Sequence, residues 1–388
     1  MKLAERMGRL GTETAFEVLA RARALEERGV NVIHLEIGEP DFDTPAHIVE
    51  AGVAALRSGE THYSPSAGIS ELRESIARFA GRKRGLTFSP EQVVVTPGGK
   101  PIMFFAILAL AEKGDEVIYP DPGFPIYESM IRFVGATPVP LPLREQNGFR
   151  LDVDELASKI TPRTRLLILN SPQNPTGSVL QYSELAGIAE LAVRHDLVVL
   201  SDEIYSEILY EGTHISIATF PGMAERTIIL DGFSKTYAMT GWRLGYGIMP
   251  VELAPHITRL VTNSVSCTAT AVQRAGIAAL EGPQDDVRRM VEEFRRRRQV
   301  IVDGLNQIPR LRCATPAGAF YAFPYVGDVG MDCRAFADYL LTEAGVATLA
   351  GTSFGSHGEG YLRLSYANSI PNLQTALERI EWAIKRLR

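Results

Sequence analysis

The stretch "RLLILNSPQNPTGSVLQYSELAGIAELAVRHDLVVLSDEIY", residues 165–205, decides the fold class. Two short apolar runs, "RLLILN" and "LVVLSD", enclose a segment of helix length. The apolar residues of that segment recur at helical spacing: Leu185, Ile188, Ala189 and Ala192. Parallel strands need a long connection between them, usually a helix, so a strand, a helix and a second strand form the unit of a parallel sheet. The stretch therefore predicts an α/β fold with a mostly parallel sheet.

Further β-rich runs extend this sheet on both sides, from about residue 90 to residue 250. They are "QVVVT", "DEVIYP" and "TPVPL" before the stretch, and "TIILD" and "LGYGIM" after it. Helix-length segments separate several of them, so we expect helices on both faces of the sheet. After residue 284 the chain changes to a long helix, three short strand candidates and a closing amphipathic helix. We predict a large domain over residues 45–285 and a smaller α+β domain formed by residues 1–44 and 286–388.

Composition excludes several classes of function. A net charge of −6 over 388 residues disfavours nucleic acid as a partner. The one basic run, "RRRR" at residues 295–298, points around a helix axis, so we expect a solvated and partly paired helix surface. Three widely spaced cysteines without a CxxC pattern indicate free thiols and a cytoplasmic location. The longest apolar run, "PIMFFAILALA", is too short to span a membrane, and the charged N-terminus is not a secretion signal.

Four of the predicted strands deliver polar or glycine-rich residues at their ends. In chain order these residues are Gly98 with Gly99, Asn174, Asp202 with Tyr205, and Ser234 with Lys235. Ligands of open parallel sheets bind outside the carboxyl ends of the strands, so we expect one shared site. The chain has seven lysines against thirty-three arginines, and only a lysine can lose its proton and act as a nucleophile. An amine at Lys235 therefore indicates covalent chemistry.

The turn at Gly98 and Gly99 predicts a phosphate cradle, because bare glycines before a helix let backbone N–H groups approach an anion. Arg243, Ser234 and Lys100 could add donors to the same phosphate. A phosphate cradle, an amine, a carboxylate, a phenol and an amide together suit pyridoxal phosphate. Its aldehyde condenses with a lysine, its pyridine nitrogen needs an acid, and its ring oxygen needs donors. The seven histidines show no HExxH or close pairing, so no metal is expected.

Six motifs occur in the order found in one known family: "IGEPDFDTP", "HYSPSAGISELR", "NSPQNPTG", "SDEIY", "SKTYAMTGWRLG" and "YLRLSYA". The chain resembles the class I/II aminotransferases, the aspartate aminotransferase family of fold type I. The resemblance implies the pyridoxal-phosphate transferase fold and a homodimer with shared active sites. It also implies ping-pong transfer of an amino group from an L-amino acid to a 2-oxo acid, 2-oxoglutarate or pyruvate.

The resemblance also assigns roles around the cofactor ring. Lys235 resembles the lysine that forms the Schiff base and carries the proton between the substrate α-carbon and the cofactor. Asp202 resembles the partner of the pyridinium nitrogen, and Tyr205 and Asn174 resemble the donors to the ring oxygen. Phe124 matches the aromatic residue that stacks on the ring, although relatives carry Trp or Tyr there.

The remaining roles concern the phosphate and the substrate. Phosphate positions are matched by Gly99, Lys100, Ser234 and Arg243. Arg363 resembles the arginine that binds the substrate α-carboxylate, and Gly38 the glycine whose amide assists it. Tyr63 matches a tyrosine that reaches the phosphate of the neighbouring subunit. Gly232 stands where many relatives have a serine, and no clear cation is available for a second substrate carboxylate.

Two alternatives stay open at this point. A C–S β-lyase acting on sulfur amino acids would share the whole cofactor site, because the substrate pocket decides the outcome of cofactor chemistry. "GTSFG" at residues 351–355 matches the GxSxG pattern of a serine hydrolase with Ser353 as the nucleophile. The hydrolase needs a helix after the serine and room for an acid and a histidine, which the short remaining sequence does not offer.

Overall fold

The computed structural model describes residues 1–387, and that part of the chain contains twelve β-strands and twelve α-helices. The strands are β1 Ile33–His34, β2 Val93–Thr96, β3 Glu116–Asp121, β4 Thr137–Pro142, β5 Thr164–Asn170, β6 Val198–Asp202, β7 Thr227–Gly232, β8 Gly245–Ile248, β9 Tyr321–Ala322, β10 Val346–Ala347, β11 Leu349–Ala350 and β12 Leu362–Ser365. The helices are α1 Thr14–Glu26, α2 Ala46–Arg57, α3 Ser70–Arg84, α4 Lys100–Leu110, α5 Ile126–Val134, α6 Val153–Lys159, α7 Tyr182–Arg194, α8 Ala254–Ser264, α9 Thr270–Glu281, α10 Asp285–Gln307, α11 Cys333–Ala344 and α12 Ile370–Arg386.

Seven strands form one sheet in the order β2-β8-β7-β6-β5-β3-β4. Strand β8 runs antiparallel to both of its neighbours, and the other paired strands run parallel. All seven correspond to the β-rich runs read from the sequence, so the predicted α/β fold with a mostly parallel sheet is confirmed. Register aligns the carboxyl ends of the central strands, because Asn170 lies opposite Asp202 and Asp202 lies opposite Leu230.

Both faces of this sheet are buried under helices. Leu166, Ile168 and Leu200 pack with residues of α4, α5 and α8 on one face. Leu167 and Val199 point the other way and pack with residues of α6 and α7. Successive residues of a strand face opposite sides, so a strand buried on both faces must be apolar throughout. This requirement explains the continuous apolar runs from which the sheet is predicted.

The C-terminal part of the chain builds a second, smaller assembly. Strands β11, β12 and β9 form an antiparallel sheet, and α10, α11 and α12 contribute to the core beside it. Strand β1 pairs in parallel with β10, which brings the N-terminal segment to this assembly. The pairing agrees with grouping residues 1–44 with residues 286–388, and the exact boundaries stay a prediction. Among residues 1–387, no helix combines the length and apolar character needed to cross a membrane.

The basic run on α10 departs from the sequence prediction. Arg295 and Arg296 are accessible, as expected, but Arg297 and Arg298 are buried. Arg297 pairs with Asp41 at 2.6 Å and with Glu293 at 3.0 Å. The prediction of a solvated surface is therefore wrong for two of the four arginines. The helix buries one of its faces, and a guanidinium on that face finds acidic and carbonyl partners instead of water.

Candidate active site

A cavity of about 490 Å³ opens at the carboxyl ends of the central strands. It is lined by eleven of the thirteen residues predicted from the sequence, namely Gly38, Gly99, Lys100, Phe124, Asn174, Asp202, Tyr205, Ser234, Lys235, Arg243 and Arg363. Gly98 lies next to the cavity, where it packs against the Arg243 guanidinium. Tyr63 lies elsewhere on the surface and is 90% exposed. The structure thus brings together every predicted site residue except Tyr63.

Lys235 follows the end of β7 and places its amine inside the cavity. Its Nζ donates a hydrogen bond to the backbone oxygen of Gly38 at 2.5 Å. Burial lowers the pKa of this amine to about 8; the charge of Glu39 opposes the shift, and the positive charge of Arg363 adds to it. An ordinary lysine has a pKa near 10.4, so this amine is far more often neutral near pH 7. A neutral amine is the form that attacks an aldehyde.

Asp202 is the last residue of β6 and is buried at the floor of the cavity. Its Oδ2 accepts a hydrogen bond from the hydroxyl of Tyr127 at 2.6 Å, and its Oδ1 accepts from the Ile204 N–H at 3.3 Å. Burial raises the pKa of this carboxyl to about 6, and the Tyr127 hydrogen bond opposes that rise. No lysine or arginine among residues 1–387 pairs with it. A buried anion without a cation is suited to a positively charged ligand group.

Tyr205 and Tyr321 face each other across the cavity floor, with their hydroxyl oxygens 2.7 Å apart. Both rings are buried, and burial raises the pKa of both phenols above the ordinary value. The hydroxyls therefore stay protonated, and since one of them donates to the other, the remaining O–H can donate to a ligand. Tyr205 is predicted from the sequence, whereas Tyr321 is not. Tyr321 lies in β9, far along the chain, and nothing in its neighbourhood distinguishes it from a core aromatic residue.

Arg363 lies in β12 and is only 4% exposed. Its Nη1 donates to Asn174 Oδ1 at 3.2 Å, and its Nη2 donates to the backbone oxygen of Glu36. Its Nε has no hydrogen-bond partner, and no carboxylate among residues 1–387 pairs with the guanidinium. Burial lowers its pKa from the ordinary value. A buried guanidinium with an unused donor fits a ligand carboxylate, which accepts two parallel hydrogen bonds from such a group.

The corner between β2 and α4 has the geometry of an anion site. Gly98 has a φ of +85°, and a Cβ there would collide with the Arg243 guanidinium. Gly99 immediately precedes α4, so the positive end of an eleven-residue helix points into this corner. Arg243 Nη1 donates to the backbone oxygen of Thr240 at 2.8 Å, and no carboxylate among residues 1–387 pairs with it. With Ser234 buried beside them, these groups fit a phosphate.

The rim of the cavity contains residues that sequence reasoning missed. Glu13, immediately before α1, forms an ion pair with Lys100. The Lys100 amine also lies 5.4 Å from the centre of the Phe124 ring. Phe16 lines the same rim. The N-terminal helix reaches this site through the fold alone, so no local pattern could have placed its side chains there.

The serine hydrolase alternative has no support in the geometry. Ser353 lies in a short 3₁₀ segment, Gly351–Phe354, and no α-helix follows it directly. The nearby His357 bonds Asp121 through Nδ1 at 2.8 Å and is not paired with Ser353. The arrangement is therefore no nucleophile elbow. Within residues 1–387, no group of three or more histidine, cysteine, aspartate or glutamate side chains could hold a metal ion.

Comparison with known proteins agrees with this geometry. The family model of aminotransferase class I and II matches residues 30–380. The chain belongs to the class I and II aminotransferases. It is 40% identical to aromatic-amino-acid aminotransferase 2 of Thermococcus litoralis over 99% of both chains. It is 42% identical to the aspartate aminotransferase of Pyrococcus abyssi over 92% of both.

Other relatives extend the same picture. An arginine–pyruvate transaminase of Pseudomonas aeruginosa is 40% identical, over 94% of this chain and 93% of the relative. The solved structure of the aspartate aminotransferase of Thermus thermophilus with maleate matches with a TM-score of 0.95 and 40% identity. That match covers 99% of this chain and 100% of the other. This aminotransferase therefore uses pyridoxal phosphate to move an amino group between an amino acid and a 2-oxo acid.

The residues of the cavity fit that cofactor. The anion corner formed by Gly99, Ser234 and Arg243 can hold a phosphate, and the unpaired acid Asp202 can hold a protonated ring nitrogen. Lys235 lines the same cavity, and its amine can serve for covalent attachment. Phe124 contributes an aromatic face to the wall. The individual contacts of these side chains with the cofactor stay predictions.

Proposed function

We propose that Arg363 binds the α-carboxylate of the L-amino acid and of the 2-oxo acid, and that 2-oxoglutarate or pyruvate is the acceptor. One observation carries this proposal. Arg363 is buried, has an unused Nε donor, and lines the same cavity as Lys235. Leaving a buried charge unpaired is costly, so such a group is usually retained for a ligand. Both substrates of an aminotransferase carry the carboxylate that this guanidinium lacks.

Bound pyridoxal phosphate supplies an electron sink for the charge that develops at the substrate α-carbon. Lys235 would hold the cofactor covalently, and its amine would move the proton at the α-carbon. Asp202 would keep a proton on the ring nitrogen, because a buried carboxylate favours the charged form of its partner. Tyr205 and Asn174 would donate hydrogen bonds to the ring oxygen. Gly38 lies beside Arg363 and Lys235, where its backbone can contact the substrate carboxylate.

The rim favours amino donors with uncharged side chains. Lys100 is the one lysine there, and Glu13 already neutralises it. A donor with a second carboxylate must displace Glu13, whereas an aromatic or aliphatic side chain leaves the pair intact. Phe16 and Met103 add apolar surface to the same wall. The names of the relatives include aspartate, aromatic and arginine donors, so membership of the family does not by itself fix the donor.

A donor panel tests this proposal. Phenylalanine, leucine, alanine, aspartate and arginine are each assayed with 2-oxoglutarate and with pyruvate. We expect kcat/KM for phenylalanine to exceed that for aspartate. Glu13→Gln should raise kcat/KM for aspartate relative to phenylalanine by about two- to fivefold, because an exposed ion pair is worth roughly 0.2–1 kcal/mol. Lys100→Gln is the matched control and should change the ratio in the opposite direction.

Two outcomes would contradict the proposal. A wild-type preference for aspartate that Glu13→Gln leaves unchanged would remove the ion pair from substrate selection. Release of pyruvate and a thiol from cystathionine, without amino transfer to any acceptor in the panel, would favour the β-lyase. Sulfur amino acids therefore belong in the same panel.

Assembly and location complete the proposal. We propose a homodimer in which Tyr63 reaches the phosphate of the neighbouring subunit, since this residue is exposed and does not line the cavity of its own chain. We also propose a cytoplasmic location. All three cysteines, Cys267, Cys313 and Cys333, are free thiols, which suits a reducing compartment.

A further inference from the structure

The glycine-rich segment 351–358, which resembles a hydrolase elbow in sequence, has a different structural partner. Asp121, the last residue of β3, is 2% exposed and accepts three hydrogen bonds from this segment. Ser356 Oγ donates at 3.0 Å, the His357 N–H at 3.1 Å, and His357 Nδ1 lies 2.8 Å away. Gly355 has a φ of +126°, and a Cβ at this position would strike the Asp121 carboxylate. The segment is therefore shaped to close tightly on one buried acid.

Each side of this contact leads into the active site. On one side, the Gly123 N–H donates to the Phe354 oxygen at 2.7 Å, and the next residue, Phe124, lines the cavity. On the other side, the Phe354 ring lies 4.9 Å from the guanidinium of Arg363. The segment also follows β11 directly, and β11 pairs with the strand that carries Arg363. Asp121 thus connects two parts of the active site, the loop that carries Phe124 and the segment that contacts Arg363.

We propose that Asp121 and His357 are positioning residues that hold Arg363 in place relative to Phe124 for substrate binding. Asp121 belongs to the seven-stranded sheet, whereas His357 and Arg363 belong to the smaller C-terminal assembly. A buried carboxylate is costly, and no arginine or lysine among residues 1–387 pairs with Asp121. Its donors are two adjacent residues of one segment. The bonds therefore fix the smaller assembly against the sheet through the segment that contacts Arg363, and the inference rests on the proposed function of Arg363 in binding the substrate carboxylate.

His357→Ala is the deciding variant, because its side chain is 40% exposed and its loss should leave the fold intact. Expected is a rise of about three- to tenfold in KM for both the amino donor and the 2-oxo acceptor. This is less than the roughly tenfold or more that a lost hydrogen bond to a charged group costs directly, because the lost bond acts on the substrate only through Arg363. The kcat should change less than KM. Cofactor affinity and borohydride labelling of Lys235 should stay near the wild-type values, because neither Asp121 nor His357 lies in the anion corner.

Controls separate positioning from general stability. Ser353→Ala changes the same segment without touching Asp121 and should leave every KM unchanged. His357→Asn can return a side-chain N–H near the position of Nδ1 and should recover part of the lost affinity. Gly355→Ala should raise both KM values more than His357→Ala does, because its Cβ displaces the Asp121 carboxylate. Unchanged KM for both substrates in His357→Ala, whether or not its melting temperature falls, would overturn the proposal.

Discussion

Asp202 and Tyr63 are both predicted from the sequence to serve the cofactor, yet the structure places them in opposite environments. Asp202 is 7% exposed, sits on the cavity wall and bonds Tyr127. Tyr63 is 90% exposed, lies outside the cavity and makes no side-chain hydrogen bond within residues 1–387. Asp202 lies in the cavity because it is the last residue of strand β6. The role of Tyr63 rests on the family resemblance alone and needs a second subunit.

The contrast shows which part of the site one chain can complete alone. The strand ends bring the amine, the acid, the amide and the phenols together inside a single fold. No strand end places a residue on the outer side of the phosphate corner. Tyr63, the residue predicted there, belongs to a segment that precedes every strand of the large sheet. A dimer would add that side from another copy. Substitutions at Lys235, Asp202 and Tyr63 test this division.

The largest effect is expected at the strand edge. Lys235→Ala should abolish turnover, because it removes both the covalent attachment and the group that moves the proton, and the latter alone is worth roughly 10²–10⁴-fold. The protein should stay folded, since the lost side chain is a buried amine with a single hydrogen bond. An activity assay measures turnover, circular dichroism measures folding, and borohydride labelling followed by peptide mapping identifies the lysine that binds the cofactor.

Lys100→Ala is the matched control for that experiment. Its amine pairs with Glu13 at the rim, so the variant should stay yellow and active, with a stronger preference for phenylalanine over aspartate because Glu13 is left unpaired. Borohydride should label Lys235 in the wild type and in Lys100→Ala. A label found on Lys100 would reverse the assignment of the two lysines.

Asp202→Asn should separate activity from stability. The half-reaction with an amino donor should slow by about a hundredfold or more, the usual cost of removing one preorganised electrostatic partner, because an amide cannot hold the ring-nitrogen proton. Phosphate contacts remain, so cofactor retention should suffer less. Single-turnover absorbance measurements give the rate. A near-normal rate would leave Asp202 as a structural acid at a strand end.

Although Asp202→Asn should slow the reaction, it should increase the free energy of unfolding of the apoenzyme. Burial raises the pKa of Asp202 to about 6, so its charged form is disfavoured in the folded state. The resulting penalty is absent below the unfolded pKa, near 3.9, grows as pH rises through 6, and is full above it. Apo Asp202→Asn should therefore be more stable than apo wild type at pH 8, by about 1–3 kcal/mol, with little difference at pH 4. Denaturant unfolding at both pH values measures this.

The sheet and its floor could be predicted because each signal is local. A strand buried on both faces must be apolar, and the polar residue that ends it must lie at the sheet edge, as Asn170 and Asp202 do. The rim could not be predicted in this way. Glu13 meets Lys100 only because the N-terminal segment joins the C-terminal assembly through β1 and β10. The sequence around Tyr321 and Tyr127 carries no signal of a role in the site, since their roles depend on partners far along the chain.

The same reasoning explains the error on α10. A run of four arginines carries no information about which helix face is buried, and the pairing of Arg297 with Asp41 joins residues 256 positions apart. The glycine-rich segment 351–358 gave the opposite kind of ambiguity. Its pattern matched a catalytic turn, but the positive φ of Gly355 serves close packing against Asp121.

The smallest effect is expected at Tyr63, and it tests the other half of the comparison. Tyr63→Phe removes one hydroxyl from a side chain that is 90% exposed, so the fold of the subunit should not change. If that hydroxyl donates to the partner's phosphate, its loss should cost roughly 1.5–3 kcal/mol, the value of a hydrogen bond to a charged group. Cofactor affinity should fall by about tenfold or more, since 1.4 kcal/mol is a factor of ten. Equilibrium dialysis measures the affinity, and sedimentation shows whether the dimer persists.

Mixing two defective homodimers, at a cofactor concentration that limits Tyr63→Phe, tests directly whether two subunits share one site. When Tyr63→Phe subunits exchange with Lys235→Ala subunits, each hybrid dimer should contain one site that combines both defects and one site that has neither. The intact site uses Lys235 from the first subunit and Tyr63 from the second, so it should regain wild-type cofactor affinity and turnover. If Lys235 and Tyr63 of the same chain served one site, every site in a hybrid dimer would still carry one defect, and exchange would restore nothing. Proven exchange without recovery, or a fully active monomer in sedimentation, would therefore place the whole phosphate site inside one chain and remove the difference between Asp202 and Tyr63.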